Sequence, residues 1–357
     1  MKPKSAILLL AAGHGLNDLL AGYFLATLVQ NTEDIMMAAT GLILYNLLAF
    51  GGQYPVALLL ERTSSPKKFL LISYALNITA ILLFSFIPQL AIVLTGIGSA
   101  LYHVAGGTIC ARQNKAVDIG LFAAPGVAGL IAGGYLSYAH LEISMWLLIS
   151  SILFLILLVK LPLHHKKNIA LRKQANEKSN GFRLDRHDVI MILLLTIIAL
   201  RSVIWNVFQL IHEHNYYWLI AIAASAFIGK IAGGWIADRV GWRVYMISSM
   251  VIATPLLTFF KNEIVLFCIG VGILQSGIPA TTALLIRSMK GSTERAIGLS
   301  FGLTIIAGAL IFYTPARVLL LSDLAVGAIG TSILILMFVV SRRSNKINLP
   351  GNDIKPA

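Results

Sequence analysis

The chain has 357 residues, of which 57% are hydrophobic and only 12% are charged, and its formal net charge is +13. Soluble globular proteins have about 45–50% apolar and about 25% charged residues, so this composition excludes a water-soluble fold, a disordered chain and a disulfide scaffold. It indicates a polytopic membrane protein, which we expect to be all-α.

Twelve predominantly apolar runs come close to the roughly 20 residues that a helix needs to cross a bilayer. The first run carries Asn17 and Asp18 in its middle and lacks a cleavage motif, so we interpret it as a span and not as a signal peptide. In chain order we predict spans at 6–29, 36–60, 69–88, 90–111, 117–139, 143–161, 188–210, 216–237, 242–260, 263–286, 294–314 and 319–340.

The longest segment between spans is polar and basic, and it divides the chain into two sets of six spans. We therefore predict two six-helix bundles joined by a linker and followed by a tail. The N-terminal bundle is placed at 1–161, the cytoplasmic basic linker at 162–187, the C-terminal bundle at 188–341 and the cytoplasmic tail at 342–357.

Lysine and arginine concentrate on one side of the predicted spans. If the chain starts in the cytoplasm, 24 of its 28 Lys and Arg residues fall in inside segments. Lys261 and Arg317 remain outside, and Arg201 and Lys230 fall within spans. The positive-inside rule then places both termini in the cytoplasm. Because the positive charge flanks the spans, we expect no nucleic-acid partner.

Span one contains polar residues on one helical face. His14 and Asp18 are four residues apart, and Asn17 flanks them. Ionisable side chains inside a span cost at least ~2.5–3.5 kcal/mol on insertion scales and usually serve a function. A carboxylate beside an imidazole can carry a transferable proton, so we predict that this pair couples transport to protons. The alternative is a static polar pair that holds span one to span four.

His103 in span four lies at about the depth of His14, and we add it to the predicted proton-coupling group. A simple hydrogen bond within the bundle is the alternative. Spans three, six and nine contain no interior Asp, Glu, Lys, Arg or His. Polar groups therefore concentrate on spans one, four, seven and ten.

Arg201 in span seven is expected to lie level with Asp18. We predict that it pairs with Asp18 in the empty protein and binds an anionic substrate otherwise, because a guanidinium suits bidentate capture of carboxylate or phosphonate. An internal ion pair is the alternative. For Lys230 we favour a structural role. Further candidate substrate contacts, with packing as the alternative, are Asn17, Trp205 and Gln275.

The two halves of the sequence echo each other. Gly96-Ile97-Gly98 in span four corresponds to Gly270-Val271-Gly272 in span ten, and the loops after spans two and eight also correspond. Parallel six-helix repeats are typical of secondary transporters. The spacings Gly129/Gly133, Gly229/Gly233 and Gly298/Gly302 are interpreted as close helix packing.

The loop after span eight reads Gly234-x-x-x-Asp238-Arg239-x-Gly241-x-Arg243, which resembles the loop signature of the major facilitator superfamily. Its counterpart after span two is degenerate, with Ala57 and Glu61 in place of Gly and Asp. The resemblance implies a twelve-helix fold whose central cavity is lined by spans one, four, seven and ten.

A narrower resemblance joins three short segments. They are Gly13-His14-Gly15-Leu16-Asn17-Asp18, Ser99-Ala100-Leu101-Tyr102-His103, and Arg295-Ala296-Ile297-Gly298-Leu299-Ser300-Phe301-Gly302. Together they resemble the fosmidomycin-resistance branch of the superfamily.

The loop motif predicts a gate between the halves. Asp238 can accept hydrogen bonds from a helix N-terminus or from Arg287, and Arg239 or Arg243 can bridge the halves. The complete set of gating candidates is Glu61, Arg62, Arg112, Gly234, Asp238, Arg239, Gly241, Arg243 and Arg287.

We predict a proton-coupled secondary active transporter of a bacterial inner membrane that moves a small organic molecule outward by alternating access, with one copy of the chain sufficing. The alternatives are proton-coupled uptake of a nutrient or organic anion, an intramembrane enzyme that uses the same acid/base groups, and a non-transporting sensor. The sequence contains no Walker A loop, Gly-x-Ser-x-Gly elbow or Cys/His metal motif, so we expect no enzymatic activity, cofactor or metal.

Overall fold

A computed structural model describes residues 3–32, 34–162, 185–211, 215–289, 292–310, 314–315 and 317–345. These residues are almost entirely helical, and none of them forms a strand. Most of the predicted linker, 163–184, and most of the predicted tail, 346–357, lie outside the described residues.

The described helices correspond one to one with the predicted spans. Eleven of them are long and apolar enough to cross a membrane, and α6 is slightly shorter at 17 residues. The twelve are α1 (Lys4–Asn31), α2 (Met36–Thr63), α3 (Pro66–Leu83), α4 (Pro88–Ala111), α5 (Ala116–Tyr138), α6 (Ser144–Lys160), α7 (Arg186–Phe208), α8 (Tyr216–Val240), α9 (Trp242–Phe259), α10 (Ile264–Ser288), α11 (Thr293–Leu310) and α12 (Asp323–Arg343).

Three helices are interrupted where the apolar pattern predicts continuity. π-Helical turns occupy Leu47–Gly51 in α2 and Leu299–Leu303 in α11, and the two turns lie against each other. α10 is divided at Gly277, two residues before Pro279, whose nitrogen has no hydrogen to donate. Such interruptions are common at functional positions of helices because they free backbone groups and allow bending.

The packing places α3, α6, α9 and α12 away from the contact between the two halves. That contact is made by α5 with α8 and α10, and by α2 and α4 with α11. Large apolar side chains of α6 such as Trp146 are exposed on the outer surface of the bundle. The polar residues predicted to be functional therefore lie on helices nearer the centre.

Glycines allow α1 and α5 to pack closely. A Cβ atom at Gly129 would overlap the carbonyl oxygen of Gly15, and one at Gly133 would overlap that of Leu19. The same relation holds on the other half, where Gly229 of α8 meets the backbone of Gly272 in α10. These small residues serve helix packing, as their spacing predicted.

We expect Gly129→Ala to destabilise the protein by ~1–3 kcal/mol, because the added methyl group forces α1 and α5 apart. Gly134→Ala is the matched control, since a Cβ there meets nothing within 4 Å. Thermal unfolding of the detergent-solubilised protein measures both variants. Equal melting temperatures for the two would show that α1 and α5 tolerate the extra volume.

Candidate functional site

Three ionisable side chains of α1 and α4 converge in the N-terminal half. His14 Nε2 lies 2.8 Å from His103 Nε2 and 3.2 Å from Asp18 Oδ2, and His103 Nε2 lies 3.7 Å from the same carboxylate oxygen. Both imidazoles are buried, and the Asp18 side chain is 13% exposed. The structure therefore brings together the three residues that the sequence grouped as proton-coupling candidates.

Backbone carbonyls fix the orientation of both imidazole rings. His14 Nδ1 lies 2.6 Å from the carbonyl oxygen of Phe122, and His103 Nδ1 lies 2.7 Å from that of Ser99. Because a carbonyl only accepts, we assign the hydrogen of each ring to Nδ1. The two Nε2 atoms then present lone pairs to each other and to the carboxylate. One added proton between them completes an N–H···N hydrogen bond and neutralises the charge of Asp18.

Asn17 and Asn77 form a hydrogen-bond network with the second carboxylate oxygen of Asp18. The Asn17 amide donates to Asp18 Oδ1 at 2.9 Å and to Ser99 Oγ at 3.3 Å, and it accepts from Asn77 Nδ2 at 2.9 Å. Asn17 is completely buried, so the structure places it in a hydrogen-bond network and not on an open surface. Asn77 was missed because the sequence argument considered only ionisable residues on α3.

Gly126 of α5 makes room for this group. A Cβ atom there would lie 2.5 Å from His14 Nε2 and 2.6 Å from Asp18 Oδ2. The sequence contained no signal for this role, since α5 has several other glycines.

The donor atoms of His14, Asp18 and His103 are close enough to one another to coordinate a metal ion. The geometry fits a shared proton better. Two nitrogen ligands on tetrahedral zinc, each at about 2.0–2.1 Å, are roughly 3.3 Å apart. The 2.8 Å between the two imidazole nitrogens is instead the length of a hydrogen bond.

Arg201 does not pair with Asp18, so this part of the prediction is wrong. The guanidinium points within its own half, where Nη1 lies 3.5 Å from Thr281 Oγ1 of α10 and the group packs against Gly277. Asp18 already has two imidazoles as partners on α1 and α4. The position of a residue along its helix predicts its depth in the membrane, but it does not predict which neighbouring residue its side chain contacts.

The remaining candidates lie in the C-terminal half. Trp205 packs half-buried against the core of that half, and Gln275 is buried in α10. Lys230 of α8 is buried.

At the end of the bundle that carries the α8–α9 loop, Asp238 caps a helix of the other half. Its carboxylate accepts from the backbone N–H groups of Ala116 at 2.8 Å and Val117 at 3.0 Å, and from Trp242 Nε1 at 2.7 Å. The residue before α5, Lys115, provides no side-chain cap of its own. Asp238 of α8 therefore caps the N-terminus of α5. A helix N-terminus was one of the two partners predicted for Asp238, and Arg287 was the other.

Two ion pairs join the halves at the same end. Arg112 pairs with Glu294, and Arg295 Nε donates to Glu61 Oε2 at 2.7 Å. Ser292 Oγ also donates to Glu61, at 3.2 Å. The sequence analysis did not predict Glu294 and Arg295 of α11 as gate residues, because the loop motif that suggested the gate lies after spans two and eight.

The two arginines Arg239 and Arg287 pack within their own half, whereas Gly234 contacts the other half. Arg239 stacks on Trp235 of its own helix, 3.3 Å from the ring centre. A bridge between the halves by Arg239 or Arg243 stays a prediction. Arg287 stacks on Trp242 at 3.7 Å. Gly234 lies against the backbone of Ala116 and Val117.

Three predicted gate residues lie close to helix ends at this end of the bundle. Gly241 ends α8 with φ of +95°, a conformation that favours glycine. Arg243 lies in the first turn of α9, and Arg62 is exposed in the last turn of α2.

Two solved structures resemble this fold. A variant of the E. coli fucose:proton symporter FucP aligns with a TM-score of 0.68 at 12% identity, covering 96% of this chain and 99% of that chain. FucP in the outward conformation aligns with a TM-score of 0.67 at 12% identity, covering 96% and 98%. At this identity the likeness concerns the fold alone, and it confirms the predicted architecture.

The sequence matches no curated protein significantly. The sequence profile of the Major Facilitator Superfamily, in contrast, matches residues 7–311, which is most of the chain. The predicted superfamily is thus confirmed: the chain belongs to the Major Facilitator Superfamily and is a multi-pass membrane transporter of small molecules.

Proposed function

We propose that this chain is a proton-coupled secondary transporter that exports a small organic molecule by alternating access. The observation that carries the proposal is the convergence of His14, Asp18 and His103. A buried carboxylate is expensive inside a membrane unless a cation accompanies it. In this site the cation is a proton on the paired imidazoles, and its arrival or departure changes the charge of the group.

Proton coupling needs this charge change to alter the balance between two conformations. The three residues lie on α1 and α4, and His14 is anchored to α5, which also packs against α8 and α10 of the other half. A change in how His14 and Asp18 are held therefore acts on the helix that contacts the opposite bundle. This arrangement supports transport over catalysis, because the site has a direct structural link to the motion of the halves.

The direction and the membrane are inferred from the sequence. The segments around His14, His103 and Arg295 resemble a drug-resistance branch, which supports export in a bacterial inner membrane. The excess of lysine and arginine on one side supports cytoplasmic termini. The end that carries Asp238 and Glu61 is then the cytoplasmic end.

The polar contacts between the halves at the cytoplasmic end support alternating access. Asp238 with α5, Arg112 with Glu294 and Glu61 with Arg295 each join the halves through polar contacts. All of them must break when the cytoplasmic side opens. The partly exposed Glu61–Arg295 pair contributes only about 0–1 kcal/mol, so it favours the closed state without locking it.

We expect Asp18→Asn to abolish proton-coupled transport, because an amide cannot balance the charge of the proton on the imidazole pair. Everted vesicles from an efflux-deficient bacterium measure this by the change in internal pH when a compound is added. The panel contains fosmidomycin, other phosphonates, organic acids and cationic drugs, and growth assays with the same panel report direction.

Asp323→Asn is the matched control, since Asp323 is half-exposed and pairs with Lys261 at the far end of the bundle. It should retain the proton response and the resistance. Unchanged proton response in Asp18→Asn would remove the carboxylate from the proton path. Increased sensitivity of cells that express the wild-type chain would indicate uptake in place of export.

We expect Glu61→Arg and Arg295→Glu each to open the cytoplasmic end more often, since each places like charges opposite each other. Spin labels attached through Thr63→Cys and Thr293→Cys, in a background without Cys110 and Cys268, report the separation of α2 and α11. The open fraction should rise about two- to fivefold in each single variant. The double swap should restore the wild-type distribution, and failure to do so would mean that the pair does not act as a gate.

A further inference from the structure

We propose that Arg201 is the binding site for an oxyanion and that the transported molecule is therefore an organic anion. The inference rests on one part of the proposed function, namely that the chain transports a small molecule. It requires neither export nor proton coupling.

The guanidinium of Arg201 is buried and largely without partners. The residue is 3% exposed, and neither Nε nor Nη2 has a hydrogen-bond partner within the described part of the chain. The only polar contact of Nη1 among the described residues is the 3.5 Å approach to Thr281 Oγ1, which is at the limit of a hydrogen bond. Natural structures rarely leave buried charged donors unsatisfied, and such groups call for an explanation.

The two atoms without partners form one recognition edge. In a guanidinium, Nε–H and the neighbouring Nη2–H point in parallel, and this edge binds a carboxylate or a phosphonate with two hydrogen bonds. An amide or a single carbonyl has only one acceptor oxygen, so it cannot accept both hydrogen bonds equally well. The free edge therefore selects for an oxyanion group.

Small and hydroxylated residues surround the guanidinium. Both terminal nitrogens of Arg201 and the hydroxyl of Ser249 lie against the position where Gly277 lacks a side chain, at 2.7, 2.8 and 2.6 Å from an ideal Cβ. Thr281 and the Tyr245–Ser276 hydroxyl pair lie on the same helices, α9 and α10. These hydroxyls already donate their hydrogens to neighbouring acceptors, so the free donors at this position are those of the guanidinium. α10 is interrupted here, which allows it to move away from α7.

The balance of charge inside the bundle also favours an anion. Among the described residues in the middle of the spans, Arg201 and Lys230 are cations, Asp18 is the only carboxylate, and His14 and His103 accompany it. Neither cation forms an ion pair with a described carboxylate. The interior thus has an excess of positive charge that an anionic substrate neutralises.

The test is binding to the purified full chain in detergent, without a proton gradient. Thermal shift and calorimetry compare benzoate with benzamide, and phenylphosphonate with its neutral diethyl ester, followed by a wider set of organic acids and phosphonates. We expect at least one anion to bind, its neutral counterpart not to bind, and Arg201→Gln to weaken that anion at least about tenfold.

Arg342→Gln is the matched control because it removes an exposed arginine at the end of α12, and it should bind like the wild type. If Arg201→Gln does not fold, Arg201→Lys provides the test. It keeps the charge and loses the two-pronged edge, so it should fold and still bind the anion several-fold more weakly.

Three outcomes would overturn the proposal: neutral compounds that bind as well as anions, anion affinity within twofold of wild type in Arg201→Gln or Arg201→Lys, or no anion bound at 10 mM. None of these affects the proton response, which Asp18→Asn tests separately. A preference for carboxylates or for phosphonates would identify the oxyanion.

Discussion

The burial of the Asp18 carboxylate is the constraint around which the N-terminal half is arranged. A charge inside a membrane needs a compensating partner, and here two imidazoles on α1 and α4 provide it. Their outer nitrogens are held by backbone carbonyls, so both inner nitrogens face the carboxylate. The close approach of α5, made possible by Gly126 and Gly129, encloses the group. The packing of α5 against α1 and the space for this polar group therefore depend on neighbouring glycines of one helix.

The two halves have different electrostatic roles although they share one architecture. The N-terminal half contains an ionisable group that is internally balanced once it holds a proton. The C-terminal half contains Arg201 and Lys230, neither of which forms an ion pair with a described carboxylate. In our proposals a proton binds on one side of the molecule and an anion on the other, and both must be neutralised before the halves can exchange conformations at low cost.

The two halves are joined at one end by a helix cap. α5 begins without a side-chain cap from its own chain segment, and Asp238 of α8 provides one across the contact between the halves. In the proposed transport cycle, the free energy of a cap, about 0.5–2 kcal/mol, is present only while this end of the bundle is closed. Glu61 and Arg295 add a weaker, exposed tie beside it. Together these contacts are strong enough to favour one state and weak enough to break.

The sequence by itself determined the twelve spans, the superfamily, and the proximity of His14, Asp18 and His103. Those properties follow from composition, from a local motif, and from residues that share one helical face or one depth. The tertiary structure alone decided that Arg201 faces Gly277 and not Asp18, that Asn77 and Gly126 contact the polar group around Asp18, and that Glu294 and Arg295 form ion pairs with the other half. The physical reason is that periodicity fixes the height and face of a residue on its own helix. The neighbour it meets depends on how closely other helices pack, which is set by residues distant in sequence.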